Sequence, residues 1–285
     1  MTLLGLGLVL TAAFCHATWN YCVKRINGGP ELIWLFSVVS VILYLPVAFW
    51  IVAVNGFPFG FWPLVFIAGS ALLHLGYFTL LQAGYRHGEL SVVYPTARAT
   101  GPMLSTALAV VLLGEVVTLQ MAIGAATIIF GVAMLGGGFR AGRKQALKSV
   151  LFGLGVGGLI GSYTVWDAFA VTALMISPVL LDYATNLTRV FLLAPVARRR
   201  WQLVDGYWRE HRLGVIAIAV LSPLAYILVL YAFTFTPVAY VAPLREVSVL
   251  LTVLAGTILL KEGKLGERVI WAVVILAGMA LLVTA

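Results

Sequence analysis

Residues 90–115 read LSVVYPTARATGPMLSTALAVVLLGE, a run long enough to cross a bilayer that carries one charge, Arg98, before its closing Glu115. Residues 238–262 read VAYVAPLREVSVLLTVLAGTILLKE, with Arg245 and a closing Glu262. A shift of 147 residues takes Arg98 onto Arg245, Glu115 onto Glu262, Trp19 onto Trp166 and Asn20 onto Asp167. In each run the glutamate follows the arginine by 17 residues. An arginine at the centre of a bilayer costs roughly 2.5–3.5 kcal/mol on insertion scales. Two at matched positions therefore point to a duplicated chain that brings polar groups together on a pseudo-twofold axis.

The rest of the composition agrees with a membrane chain. Hydrophobic residues make up 62% of 285 and charged residues 10%, with mean hydropathy +1.06. Soluble domains carry about 25% charged residues. Spans of about 20 apolar residues cross as helices, and ten are expected: 2–22, 31–54, 61–83, 90–113, 118–138, 149–172, 177–197, 213–234, 238–260 and 267–285. The runs are continuously apolar instead of alternating, which excludes a lipid-facing barrel. The first run has no basic leader and reads as the first span, not a signal peptide. Little chain remains for a soluble catalytic domain, and no catalytic constellation, metal cluster or nucleotide-binding loop is present. Cys15 and Cys22 lie seven apart on one helix, a spacing that offers neither a metal site nor a disulfide framework. No metal and no cofactor are expected.

The formal charge of +8 is not a nucleic-acid footprint, because of where it falls. Of 18 Lys and Arg, three are inside spans: Arg98, Arg189 and Arg245. The other 15 lie in alternate connections, at 24–25, 86, 140–148, 198–212 and 261–268, and the opposite connections carry none. The positive-inside rule then puts the basic loops in the cytoplasm and both termini outside. A bacterial-type inner membrane is the expected location. The Arg198–Arg199–Arg200 run reads as a topology anchor on anionic lipid.

The basic segment 139–148 divides residues 1–138 from residues 149–285, five spans each. An odd number of spans per half makes the second half enter inverted. The fold expected is an all-α integral membrane protein of ten transmembrane helices in two five-helix inverted repeats, the architecture transporters use around a midplane site. Gly153, Gly157 and Gly161 form a small-xxx-small stripe for close helix packing. Pro95 and Pro102, with Pro237 and Pro243, put breakers in or beside both arginine-bearing spans.

The segment YRHGELSVVYP at 85–95 running to LLGE, its counterpart TPVAYVAPLRE at 236–246 running to LLKE, and ATWN at 17–20 with Lys24 resemble the drug/metabolite transporter superfamily. They are similar in particular to its ten-span members built of two EamA domains, and the resemblance covers the whole chain. It implies alternating-access transport of small solutes, usually outward, through a cavity between the halves. Many bacterial relatives keep both termini in the cytoplasm, whereas the charges here favour the reverse, so direction is not inherited from them.

Within the spans three arginines face three carboxylates, Asp167, Asp182 and Glu246, for a sum of zero. Structural ion pairing is the plain reading. Yet buried pairs are often no more stable than apolar contacts of like volume, which favours a solute cavity. Arg98 and Arg245 are the leading candidates, since a guanidinium keeps its charge and clamps a carboxylate with two parallel hydrogen bonds. Glu246 projects about 100° from Arg245 and suits an amine or proton. Asp182, Asn186 and Arg189 share one helix face at spacings of four and three. Trp19 and Trp166 are candidates to wall the cavity, and Tyr94, Tyr77 and His74 to hydrogen-bond a ligand. Glu115 and Glu262 are expected as gate or helix-end groups. The function these point to is a secondary transporter, an exporter, of a small zwitterionic or anionic metabolite such as an amino acid. The alternative is a flippase of lipid or lipid-linked substrates. Expected partners are the small-molecule substrate and membrane lipids, with no nucleic acid, in a monomer or homodimer.

Overall fold

The computed structural model describes residues 3–56, 60–113, 118–135, 144–233 and 247–284. Arg245, Glu246 and Glu115 lie outside the described residues, as do Pro237 and Pro243. What is described is helical: α1 Leu3–Ile26, α2 Pro30–Asn55, α3 Phe61–His87, α4 Leu90–Leu113, α5 Leu119–Leu135, α6 Lys144–Thr172, α7 Pro178–Arg199, α8 Trp201–Phe233, α9 Val247–Leu254 with a π-turn over Ala255–Leu259, and α10 Leu265–Val283. Among them α1, α2, α3, α6, α7 and α8 contain stretches long and apolar enough to cross a membrane, and Leu119–Leu135 and Val247–Leu259 are shorter apolar helices. This is a multi-pass membrane protein.

Local chemistry sets the ends. Pro30 and Pro178 open α2 and α7 at the first turn, where the missing N–H has no partner to lose. Lys24 and Arg25 close α1, and Arg198 and Arg199 close α7, each placing cations at a helix C-terminus. Large apolar side chains remain exposed on the outside of the bundle. Trp50, Phe61 and Trp62 cluster where α2 ends and α3 begins, and Trp201 and Trp208 at the opposite end. Aromatic rings at both ends are what a bilayer interface selects.

The main neighbours are α1 with α8, α3 with α6, α2 with α7, α4 with α6 and α9, and α5 with α10. Two devices bring them close. Gly153 and Gly157 of α6 face Thr96 and Thr100 of α4; a Cβ on Gly157 would stand 2.6 Å from the Ala97 carbonyl oxygen. Pro223 inside α8 has no N–H for the carbonyl four residues back, Ala219. Ser40 of α2 donates to that carbonyl at 2.8 Å, and Tyr44 to Val220 O at 2.8 Å. A helix breaker in the membrane is thus repaired by its neighbour.

One element differs from the expected connection. Residues 201–210 are helical, continuous with α8 across a bend at His211 (φ −130°, ψ 23°). Val204 is buried, whereas Trp201, Leu203 and Trp208 are exposed.

Candidate functional site

Four helices contribute polar side chains to one seam. On α3, Ser70, His74 and Tyr77 share a face; α6 supplies Tyr163 and Asp167, α7 supplies Asp182, Asn186 and Arg189, and α8 supplies Tyr226. His74 Nε2 lies 3.6 Å from Asp167 Oδ2, and Tyr226 Oη donates to the same oxygen at 3.2 Å. His74 Nδ1 is 2.9 Å from the Ser70 carbonyl. A carbonyl only accepts, so Nδ1 carries a proton and Nε2 faces the carboxylate. That contact is attractive only when the pair holds one more proton. Tyr163 stacks on the imidazole, ring centroids 4.2 Å apart.

Along α7, Asn186 Nδ2 donates to Asp182 Oδ2 at 3.0 Å, and Arg189 Nη2 donates to Asn186 Oδ1 at 2.8 Å. Arg189 therefore points inward, not toward the basic end, and its guanidinium lies 4.4 Å over the Phe78 ring. Arg189 is 2% and Asp167 3% exposed. Each keeps one buried atom without a hydrogen-bond partner: Nη1 of Arg189 and Oδ1 of Asp167. Such groups cost about 1–3 kcal/mol or more when left unpaired.

The other expected residues fall around this seam. Arg98, 8% exposed, sits on α4, and its field and that of Arg189 both reach Tyr77. Tyr94 donates to Ser248 Oγ of α9 at 3.0 Å. Trp19 is buried against Phe78, its indole nitrogen 3.3 Å from His16 Nδ1. Trp166 instead packs on α3: its N–H donates to Phe66 O at 2.8 Å, its ring stacks on Phe66, and it covers Gly69. The two repeat-related tryptophans thus stand in different surroundings.

Glu262 works at the basic end. Its Oε1 and Oε2 accept the backbone N–H of Leu90 and Ser91, at 3.0 and 2.9 Å, capping α4. Lys24 Nζ lies 3.7 Å away and also donates to the carbonyls of Tyr85 and Gly88. The π-turn at the end of α9 accommodates an extra residue per turn, and Leu260 N bonds back to Ala255 O within it. The chain then reverses so that the carboxylate rests on Gly256 and reaches α4. Two further pairs sit at this end, Arg268 with Glu89 and Arg200 with Glu31. Beside them Tyr207 is pushed above the usual phenol range by burial and then by the Glu31 carboxylate, so it stays a neutral hydroxyl.

Sequence reasoning passed over Ser70, Tyr163, Tyr226, Glu31 and Glu89. A signal was present for the first: Ser70, His74 and Tyr77 repeat the spacing of four and three seen at Asp182, Asn186 and Arg189.

The described helices form a membrane-crossing bundle with a buried, charged seam. Residues 3–137 match the EamA-like transporter family, so the first half of the chain is an EamA domain, the unit of the drug/metabolite transporter superfamily. A solved structure described only as the crystal structure of a protein is similar in fold: 14% identical, covering 98% of each chain, TM-score 0.56. No curated protein matches.

Proposed function

We propose that the protein is a secondary transporter exporting a small zwitterionic metabolite of the amino-acid kind, by alternating access around the seam. The observation that carries this reading is the pair of unsatisfied buried atoms, an acceptor on Asp167 and a donor on Arg189, within one polar seam. An ammonium and a carboxylate on one small molecule supply what each lacks. Arg98 adds a second cation near Tyr77 for substrates with a further negative charge.

The two-half organisation, residues 1–138 and 149–285 as inverted repeats, is supported by the neighbours. Exchanging the halves turns the α1–α8 contact into α6–α3, and leaves α2–α7, α4–α9 and α5–α10 unchanged. The charge asymmetry supports a bacterial-type inner membrane with basic loops cytoplasmic.

Counterflow into proteoliposomes with a labelled amino-acid panel tests the proposal. Uptake should appear with wild type and fall in Asp167→Asn and Arg189→Gln. Full counterflow by both variants would remove the site. A response confined to lipid-linked substrates would favour the flippase.

A further inference from the structure

A cavity lies at the basic end, away from the seam. It measures about 440 Å³ and sits between the last turn of α1 (Tyr21, Cys22, Arg25, Ile26) and the α8 elbow (residues 209–214, with Ala217). Its rim holds Arg25, Arg209 and Arg212 with His211, against a single carboxylate, Glu210. Arg209 is engaged by Asp205 at 3.0 Å. Glu31, Glu89, Glu262 and Glu267 are engaged by Arg200, Arg268, Lys24 and Lys264. Arg25 and Arg212 form no ion pair among the described residues. Ile26, which is buried, and Ala217 give the lining an apolar part, and Leu213 stands at its exposed mouth. Trp201, Trp208 and Leu213 beside it are exposed, as residues at a lipid boundary are.

We infer that this elbow pocket is a binding site for the phosphate headgroup of an anionic glycerophospholipid. Arg25 and Arg212 clamp the phosphodiester by paired N–H donors, and the acyl chains run out along Leu213 and Ala217. A guanidinium suits this role because its planar fork matches two phosphate oxygens and it keeps its charge at the interface. The bend at His211 makes the site, since a straight α8 would carry Arg209 and Arg212 away from α1. A soluble phosphate would find the two arginines but not use the apolar wall, and that difference identifies the source.

The full-length protein, purified in a neutral detergent, is unfolded thermally with added phosphatidylglycerol, phosphatidylcholine or inorganic phosphate. Phosphatidylglycerol should raise the midpoint more than phosphatidylcholine at equal mole fraction. Arg25→Gln and Arg212→Gln should each at least halve that difference, while Lys264→Gln, outside the pocket, should leave it intact. Native mass spectrometry should count one fewer retained phosphatidylglycerol in Ala217→Trp, which fills the apolar wall and spares the charges. The inference is overturned if the two glutamine variants keep the full difference, if Ala217→Trp retains the lipid, or if inorganic phosphate alone reproduces the stabilisation.

Discussion

Arg189 and Asp167 are the charged side chains among the described residues that keep a buried atom without a hydrogen-bond partner, and they set the first prediction. A hydrogen bond to a charged group contributes about 1.5–3 kcal/mol, so Arg189→Gln should weaken zwitterion binding roughly 10- to 100-fold. Asp167→Asn should do the same for the ammonium end. Its side-chain oxygen can still accept from Tyr226, and its amide can donate to His74 Nε2, so thermal stability should be retained. Isothermal titration beside a melting curve separates the two effects; equal losses in both would make the residues structural. Glu262 belongs to the opposite case. Its two bonds to the Leu90 and Ser91 amides cap α4, and glutamine would set an NH₂ against one of those donors. Glu262→Gln should cost about 1–2 kcal/mol in denaturant unfolding.

The α4–α6 contact fixes the rotation of the helix that carries Arg98, because Thr96, Ala97 and Thr100 meet the α6 glycines. Gly157→Ala would place a methyl 2.4 Å from Thr100 Cβ and 2.6 Å from the Ala97 carbonyl. Backbone cannot yield as a side chain does, so the helices must separate, at a cost of about 1–3 kcal/mol. Gly158, one residue on, has nothing within 4 Å, and Gly158→Ala should melt like wild type. Equal melting of the two variants would show that the contact is loose. Helix existence was legible in the sequence at this scale, because a span of apolar residues admits no other structure in lipid. Helix rotation was not. A span that is apolar on all sides does not say which face meets which neighbour. His74 and Asp167, 93 positions apart, therefore gave no sign of being partners, and Tyr226 gave none of joining them. The helical segment at 201–210 was missed because the arginines on either side of it, Arg198–Arg200 and Arg209 with Arg212, read as one basic connection.

Over the whole molecule, the inter-element ion pairs described at the basic end all join the first half of the chain to the second: Lys24 to Glu262, Glu89 to Arg268 and Glu31 to Arg200. Under the alternating access proposed above, they act as a latch on that end. Exchange of access requires such a latch to be weak enough for substrate binding to open it, and in two of the pairs one member meets water although its partner, Glu31 or Arg268, is largely buried. Arg200 is largely exposed and Glu89 half-buried, which suits them to opening before the capped Glu262 does. Glu89→Gln combined with Glu31→Gln should then shift the population toward an inward-open form by roughly two- to fivefold. Tyr94, on α4 just beneath the latch, reports it. With Cys15 and Cys22 replaced by serine and Tyr94→Cys introduced, a water-soluble maleimide applied from the basic face should label faster by that factor when both glutamates are neutral. An unchanged rate would mean that these pairs fix the fold and do not control access, and would move the gate to the residues nearer the seam.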